Sequence, residues 1–374
     1  MSKGKVLWGC ALVVSAFGCD SSNSSPLAGG TNAGGHTGDS APANGSGGMS
    51  VVDPRPTGGG PSATGVGGAA GGAGGAGGSG GACAGDPLTR CTGTMSGAWC
   101  TETVPAGSTP QFVGLWANRP DDVWFVGGGE PAPGSNMSSA MAAHFDGCTW
   151  TITRVAALPL FSGVWGAASN DVWFVGRTST NVYHWNGATL TAVPVPGATT
   201  FASVSGTSST DVWAVGAGIF HWNGTAWAQS SASAGNDVWA VAPNDVWVAS
   251  GTTDALHFDG TTWTATPLTD FGLFSIWGDA TQAYAAGEGE AIFRFASGTW
   301  TTLQGRGGSS EGFVDIGGLG ADIFTVGNNS VVRLSGTTFT PVTDVPPASY
   351  RSVWVSPTQI WLGAPDGIVT RRIR

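Results

Sequence analysis

From about residue 97 to the C-terminal arginine, short apolar runs alternate with Gly, Asn, Asp, Ser and Pro, and the runs line up with one another. The most regular unit is Asp211-Val-Trp-Ala-Val-Gly216, followed by Ile219-Phe-His-Trp-Asn-Gly224 and Trp227. Asp122-Val-Trp-Phe-Val-Gly127 and Asp171-Val-Trp-Phe-Val-Gly176 precede it. Asp245-Val-Trp-Val-Ala-Ser250 and Asp322-Ile-Phe-Thr-Val-Gly327 follow, with weaker copies at Ala283–Gly287 and Gln359–Gly363. β-Branched and aromatic runs between turn residues predict strands. No stretch carries a 3.6-residue period, so almost no helix is expected. Seven copies spaced by roughly 40 residues predict a repeat architecture.

Each repeat reads as four strands. The first carries an aliphatic–Trp pair such as Leu115-Trp116, Val164-Trp165 or Val353-Trp354, replaced by Val204-Ser205 and Ile316-Gly317 in the third and sixth copies. The second is the Asp-Val-Trp segment, and the third is typified by Val182-Tyr-His-Trp185. The fourth holds Trp150, Leu190, Trp227, Trp263, Trp300 or Phe339. Asn186-Gly187, Asn223-Gly224 and Asp259-Gly260 separate third from fourth and predict tight two-residue hairpins, in which positive φ is required. Seven four-stranded meanders predict an all-β, seven-bladed β-propeller. The last copy stops after three strands. Its fourth is expected from Gly97-Ala-Trp99-Cys-Thr-Glu-Thr-Val104, so that the N-terminal strand closes the ring and removes open sheet edges.

The region before the repeats changes the picture from a cytosolic protein to an exported one. Lys3 and Lys5 precede an apolar run, Val6 to Phe17, too short to span a bilayer. It ends in Ser15-Ala-Phe-Gly-Cys19, which resembles a bacterial lipobox with Cys19 as the lipidated residue. Residues 1–18 are therefore expected to be a lipoprotein signal peptide. Residues 19–82 are Gly, Ser, Ala, Thr and Pro, a composition that cannot offset ordering entropy and predicts a disordered tether. Its typical reach would be roughly 40–45 Å. Residues 83–374 form the expected propeller with its Cys-rich closing segment. Cys83, Cys91, Cys100 and Cys148 predict two disulfides, with three connectivities open. A bridge from Cys148 to the N-terminal segment would brace the closure.

Charge narrows the partners. The chain carries 14 basic and 24 acidic residues, a formal charge of −10, and its lysines lie in the leader. An acidic surface repels phosphate backbones and anionic headgroups, which argues against nucleic acid and against membrane contact other than through a lipid.

Candidate chemistry is sparse. The 17 tryptophans after Trp8 all occupy repeat positions, as expected of packing between blades rather than of sugar-stacking platforms. His144, His184, His221 and His257 share one position, occupied later by Arg294, Arg333 and Thr370, and equivalent residues of diverging blades cannot share one ion. The repeated Asp122, Asp171, Asp211, Asp245 and Asp322 are expected to bind turn N–H groups. Departures from the repeat say more. Two residues before the Trp position stand Gly114, Gly163, Ser203, Asp237, Ser275, Asp315 and Ser352. Asp237 and Asp315 near the axis could coordinate a cation such as Ca²⁺, hold water or form an acid/base pair; no other cofactor is indicated. The loops expected on the same face add Glu130, Glu288, Glu290 and Arg306, with Tyr350 and Arg351 at the start of the last copy.

The Asp-Val-Trp-x-Val-Gly and His-Trp-Asn-Gly-x-x-Trp units resemble those of bacterial β-propeller lipoproteins. More distantly, hairpins such as Asp259-Gly-Thr-Thr-Trp263 resemble the Asp-box hairpins of sialidase-like propellers, with one residue fewer between Asp and Gly. The first resemblance is specific for fold and implies little about function; the lipobox, the tether and the absence of a strong catalytic constellation point to a monomeric, lipid-anchored binding module in the cell envelope, periplasmic or on the outer surface, with an envelope protein or polysaccharide as partner. The second implies a glycan-active hydrolase or lyase, for which Tyr350 beside Arg351 is the only plausible nucleophile and no set of three arginines is evident.

Overall fold

The computed structural model describes residues 90–107, 110–129, 138–156, 158–307, 312–327 and 329–373. The expected signal peptide, lipidation site Cys19, tether, Cys83 and Glu130 lie outside them. The described part is all-β, without helix, and forms seven antiparallel sheets. Six sheets are four-stranded meanders in sequence order. Their first strands are Gln111–Arg119, Gly163–Ala168, Phe201–Ser208, Asp237–Ala242, Leu273–Asp279 and Asp315–Leu319. The seventh begins with Ser352–Val355. Each first strand contacts that of the next blade, and Ser352–Val355 contacts Gln111–Arg119, so the seven line a common axis. This is a seven-bladed β-propeller.

Ring closure follows the expectation. Trp99–Glu102 pairs antiparallel with Val369–Ile373, in the register Trp99↔Arg372 to Glu102↔Val369, and supplies the fourth strand of blade 7. A further strand, Thr94–Ser96, folds back on it and makes this sheet five-stranded. Cys91 is bonded to Cys100, which pins that outer hairpin to the closing strand. Cys148 is also disulfide-bonded, and so to neither of these two.

The Asn-Gly and Asp-Gly hairpins between third and fourth strands differ from the two-residue turn expected, which appears instead at Ser297-Gly298 of blade 5. The flanking pair in blade 2 is Trp185↔Leu190, so the loop has four residues, Asn186–Thr189. Only the glycine adopts positive φ, 89° at Gly187 and 90° at Gly224. The Asn acts through its side chain: Asn223 Oδ1 accepts the N–H groups of Thr225 and Ala226, both at 3.0 Å. Asp146, Asn186 and Asp259 do the same in blades 1, 2 and 4.

The wedges between blades are filled by aromatic rings, as the periodicity implied. Trp173 packs on Trp222 and Trp227 of the next blade at 5.4 and 5.7 Å, Trp213 on Phe258 and Trp263, and Trp247 on Phe295 and Trp300. Trp361 closes the circle on Phe145 and Trp150 of blade 1. Nearer the axis, Trp116 and Trp165 lie over Gly166 and Gly206 of the following blade. A Cβ at either glycine would stand 2.7–2.8 Å from a tryptophan ring.

Candidate functional site

The repeated histidines lie outside any metal site. Among the described residues no group of three or more His, Cys, Asp or Glu could hold a metal ion. In blades 1–4 each histidine Nε2 meets the Asp that opens the second strand of its own blade, at 2.7, 2.7, 2.6 and 2.9 Å. Each imidazole stacks on that strand's Trp, with ring centroids 4.0–4.2 Å apart. The aspartates thus accept from histidine rather than from turn backbone, and the contact lies within a blade rather than between blades. Burial acts against ionisation of Asp122 and Asp211, but hydrogen bonds led by those from His144 and His221 hold both carboxyls below their ordinary range.

Register corrects one assignment. Trp361 of blade 7 faces Arg371, as Trp213 faces His221, so the counterpart of the histidine is Arg371 and not Thr370. Here the second strand opens with Gln359, and the carboxylate comes from the closing strand. Glu102 Oε1 accepts from Arg371 Nε at 2.6 Å, and both side chains are wholly buried. The guanidinium also lies over Trp361 and Phe145, 5.1 and 5.6 Å from their ring centres.

The expected axial pair, Asp237 and Asp315, is brought together around Ser275. Asp237 accepts from Ser203 Oγ at 2.7 Å, Ser275 Oγ at 2.8 Å, its neighbour Val238 N–H, and Ile276 N–H of blade 5 at 2.9 Å. Asp315 lies 3.1 Å from the same Ser275 Oγ and accepts from Ile316 N–H and from Val353 N–H of blade 7 at 2.8 Å. These carboxylates join one blade's inner strand to the next. Burial pushes both upward, and the neighbouring Asp237 charge helps raise Asp315 to about 7. Their oxygens are engaged by protein donors from their own and neighbouring blades.

Tyr350 is corrected too. It is 1% exposed, and its hydroxyl donates to Pro346 O at 2.7 Å and lies 3.3 Å from Thr370 Oγ1. It fills the same repeat position as the buried Phe112, Phe161, Phe201, Leu273 and Phe313. Burial raises its phenol to about 12, so it neither reaches a ligand nor serves as a nucleophile. Glu288 is paired with Arg306, whose guanidinium sits 5.3 Å above Phe271. Glu290 lies in the same loop with φ 64°.

What the structure adds is the residue immediately before the axial Gly/Ser/Asp position. In blades 1, 3 and 5 the inner strand bulges at Val113, Ala202 and Phe274. In blades 2, 4, 6 and 7 the N–H groups of Ser162, Asn236, Val314 and Arg351 bond carbonyls of Val175, Ala249, Val326 and Gly363. Those are the residues that the next position also opposes. A bulge inserts one extra residue and re-aims its side chain. All seven extra residues line one axial cavity of ≈ 170 Å³, together with Arg177. Of the expected site residues, Asp237, Asp315 and Arg351 reach this cavity, whereas Glu288, Glu290, Arg306 and Tyr350 do not. Asn236 and Phe274 were missed. Aligning the position before the axial one would have found them, because it is the inner-strand position at which side-chain chemistry varies most.

No protein-family profile matches the chain, and no curated protein does. Solved structures share the fold. YCF48 bound to D1 peptide superposes with a TM-score of 0.57 at 16% identity, covering 76% of this chain and 100% of that one. A catalytically inactive virginiamycin B lyase from Staphylococcus aureus with Quinupristin gives 0.58 at 12%, covering 74% and 99%. The WD40 propeller domain of Doa1 gives 0.57 at 14%, covering 74% and 97%.

Proposed function

We propose that this protein is an exported, lipid-anchored binding module whose propeller engages a protein partner through the axial mouth on its loop face. The observation that carries this reading is the ring of bulges. Seven equivalent backbone distortions present Val113, Ser162, Ala202, Asn236, Phe274, Val314 and Arg351 to one cavity. Positions that serve packing repeat with little change around the ring; this one does not. A rigid scaffold that varies only the side chains at its mouth suits recognition. Similar propellers seen with a peptide and in a WD40 domain are consistent with a protein ligand. A hydrolase or lyase is the weaker reading, since Tyr350 is buried and both axial carboxylates are engaged.

The test uses the whole chain as bait against cell-envelope extract, alongside a variant carrying Asn236→Ala and Phe274→Ala. Saturable retention of one protein by the wild type, lost in the variant, is expected. Retention indifferent to the mouth residues would move the site elsewhere, and turnover of a glycan by the wild type would replace the reading with the enzymatic one. The anchor is tested separately: Cys19→Ser should abolish labelling by radioactive palmitate, and persistence of label would remove the lipoprotein assignment.

A further inference from the structure

The axial cavity is chemically polarised. Arg351 reaches it from blade 7 and Arg177 from the loop between Asp171–Val175 and Asn181–Trp185 of blade 2. Blade 1, between them, contributes Val113, Gly114 and Leu115 to the lining. The lining also holds Phe274, Val314 and Asn236. Neither arginine side chain makes an ion pair or hydrogen bond among the described residues, in contrast to Arg294, Arg306, Arg333 and Arg371, which all do.

Two guanidiniums without side-chain partners among the described residues, over one small cavity, call for an anion with planar oxygens, which arginine engages in fork geometry. The surroundings restrict which anion. Asp366 stands on the equivalent loop of blade 7, Asp254 opens the third strand of blade 4 and Asp270 lies on the loop between blades 4 and 5, and these carboxylates repel a polyanion while tolerating a single local charge. The cavity, ≈ 170 Å³, admits the end of an extended chain but not a helix about 10–12 Å across. Phe274 of blade 5 and Val314 of blade 6 offer an apolar seat in the same cavity.

We propose that the axial cavity captures a peptide carboxylate between Arg177 and Arg351, with the adjoining side chain seated against Phe274 and Val314. This rests on the binding-module reading and names the chemistry of its ligand. The carboxylate comes either from a chain terminus or from an acidic side chain.

The experiment measures fluorescence-anisotropy binding of the whole chain to randomised octapeptide pools in three forms: free C-terminus, C-terminal amide, and C-terminal amide with one internal Glu. Pools lack other acidic residues. The free-acid form is expected to bind at least tenfold more tightly than the amide if the terminus is the source; the Glu-containing amide should do so if the side chain is. Arg177→Gln and Arg351→Gln should each weaken that binding about tenfold with unchanged melting temperature, because both residues lie at the cavity mouth. Equal binding of all three pools, or affinity untouched by both substitutions, would overturn the inference. If no pool binds, yet an envelope protein is retained equally by wild type and the double arginine variant, the carboxylate site fails while the binding-module reading stands. If nothing is retained either, both fail.

Discussion

Blades 3 and 7 fill the same slot by different means. In blade 3 Asp211 and His221 lie ten residues apart, meet at 2.6 Å, and stay partly exposed. In blade 7 Gln359 replaces the aspartate and binds Trp361 Nε1 at 2.9 Å, while Arg371 takes its carboxylate from Glu102, 269 residues away. The first arrangement welds two strands that the chain has just made. The second puts the acid on the strand that completes the sheet, so blade 7 cannot satisfy its buried cation until the two ends of the domain meet. Closing a loop of that length costs more chain entropy than the local pairing within blade 3.

The comparison breaks most sharply at the buried pair. Glu102→Gln, which removes the carboxylate from the buried Arg371, should cost about 3–5 kcal/mol. In a domain of this size that is a fall in melting temperature on the order of 10 °C. Glu102→Leu with Arg371→Met should recover most of it, because a buried pair is seldom better than a well-packed apolar one. Thermal unfolding of the three proteins decides. A loss no larger than that of Asp211→Asn would mean that closure does not depend on this pair.

Asp211→Asn itself should cost about 1.5–3 kcal/mol at neutral pH, the range for hydrogen bonds to charged groups. Its carboxyl titrates below its ordinary value in the folded state, so its contribution is present above about pH 4 and disappears as pH falls through the lowered value. Denaturant titrations from pH 7 to pH 2 should show a shallower acid limb in the variant. An unchanged limb would place the stabilisation elsewhere.

Asp315 has the opposite sign. Its folded value, about 7, lies above the unfolded one, so its favourable contribution is complete below about pH 4 and is lost as pH rises through 7. The wild-type melting temperature should therefore drift down between pH 5 and pH 8, and Asp315→Asn should flatten that drift. A parallel slope in both would show that the inner-strand links do not titrate. The smallest effect belongs to the exposed hairpins. Asn223→Ala should cost about 0.5–1.5 kcal/mol, whether read by heat or by denaturant.

The fold was legible because packing imposes a period. Trp173, Trp213 and Trp247 must each face the next blade, so the chain repeats the demand at every copy, and the missing fourth strand of the last copy could be found at Trp99 from the same pattern. The site was less legible because the mouth is made by bulges. A bulge shifts the face to which a side chain points, and strand alternation counted along Phe112-Val113-Gly114 does not disclose that the middle residue reaches the axis. Arg351 was chosen beside Tyr350, yet the two separate completely, one into the cavity and one into the core. The carboxylates at positions 237 and 315 stood out as charges near the axis. Only their partners, Ile276 N–H and Val353 N–H in neighbouring blades, show that they hold the ring together.

The bond between Cys91 and Cys100 has a mechanical side. Any pull applied at Cys91 passes through sulfur directly into Cys100, in the middle of the closing strand. The hairpin strand Thr94–Ser96 is short-circuited and carries no load. Tension is instead delivered to the row of backbone bonds between Trp99–Glu102 and Val369–Ile373, beside the buried Glu102–Arg371 pair. The covalent shunt thus sets the point of attack at the best-anchored strand of the ring. In a reducing environment the same pull would first peel the outer hairpin, so the force needed to begin opening the propeller would fall before any blade had moved.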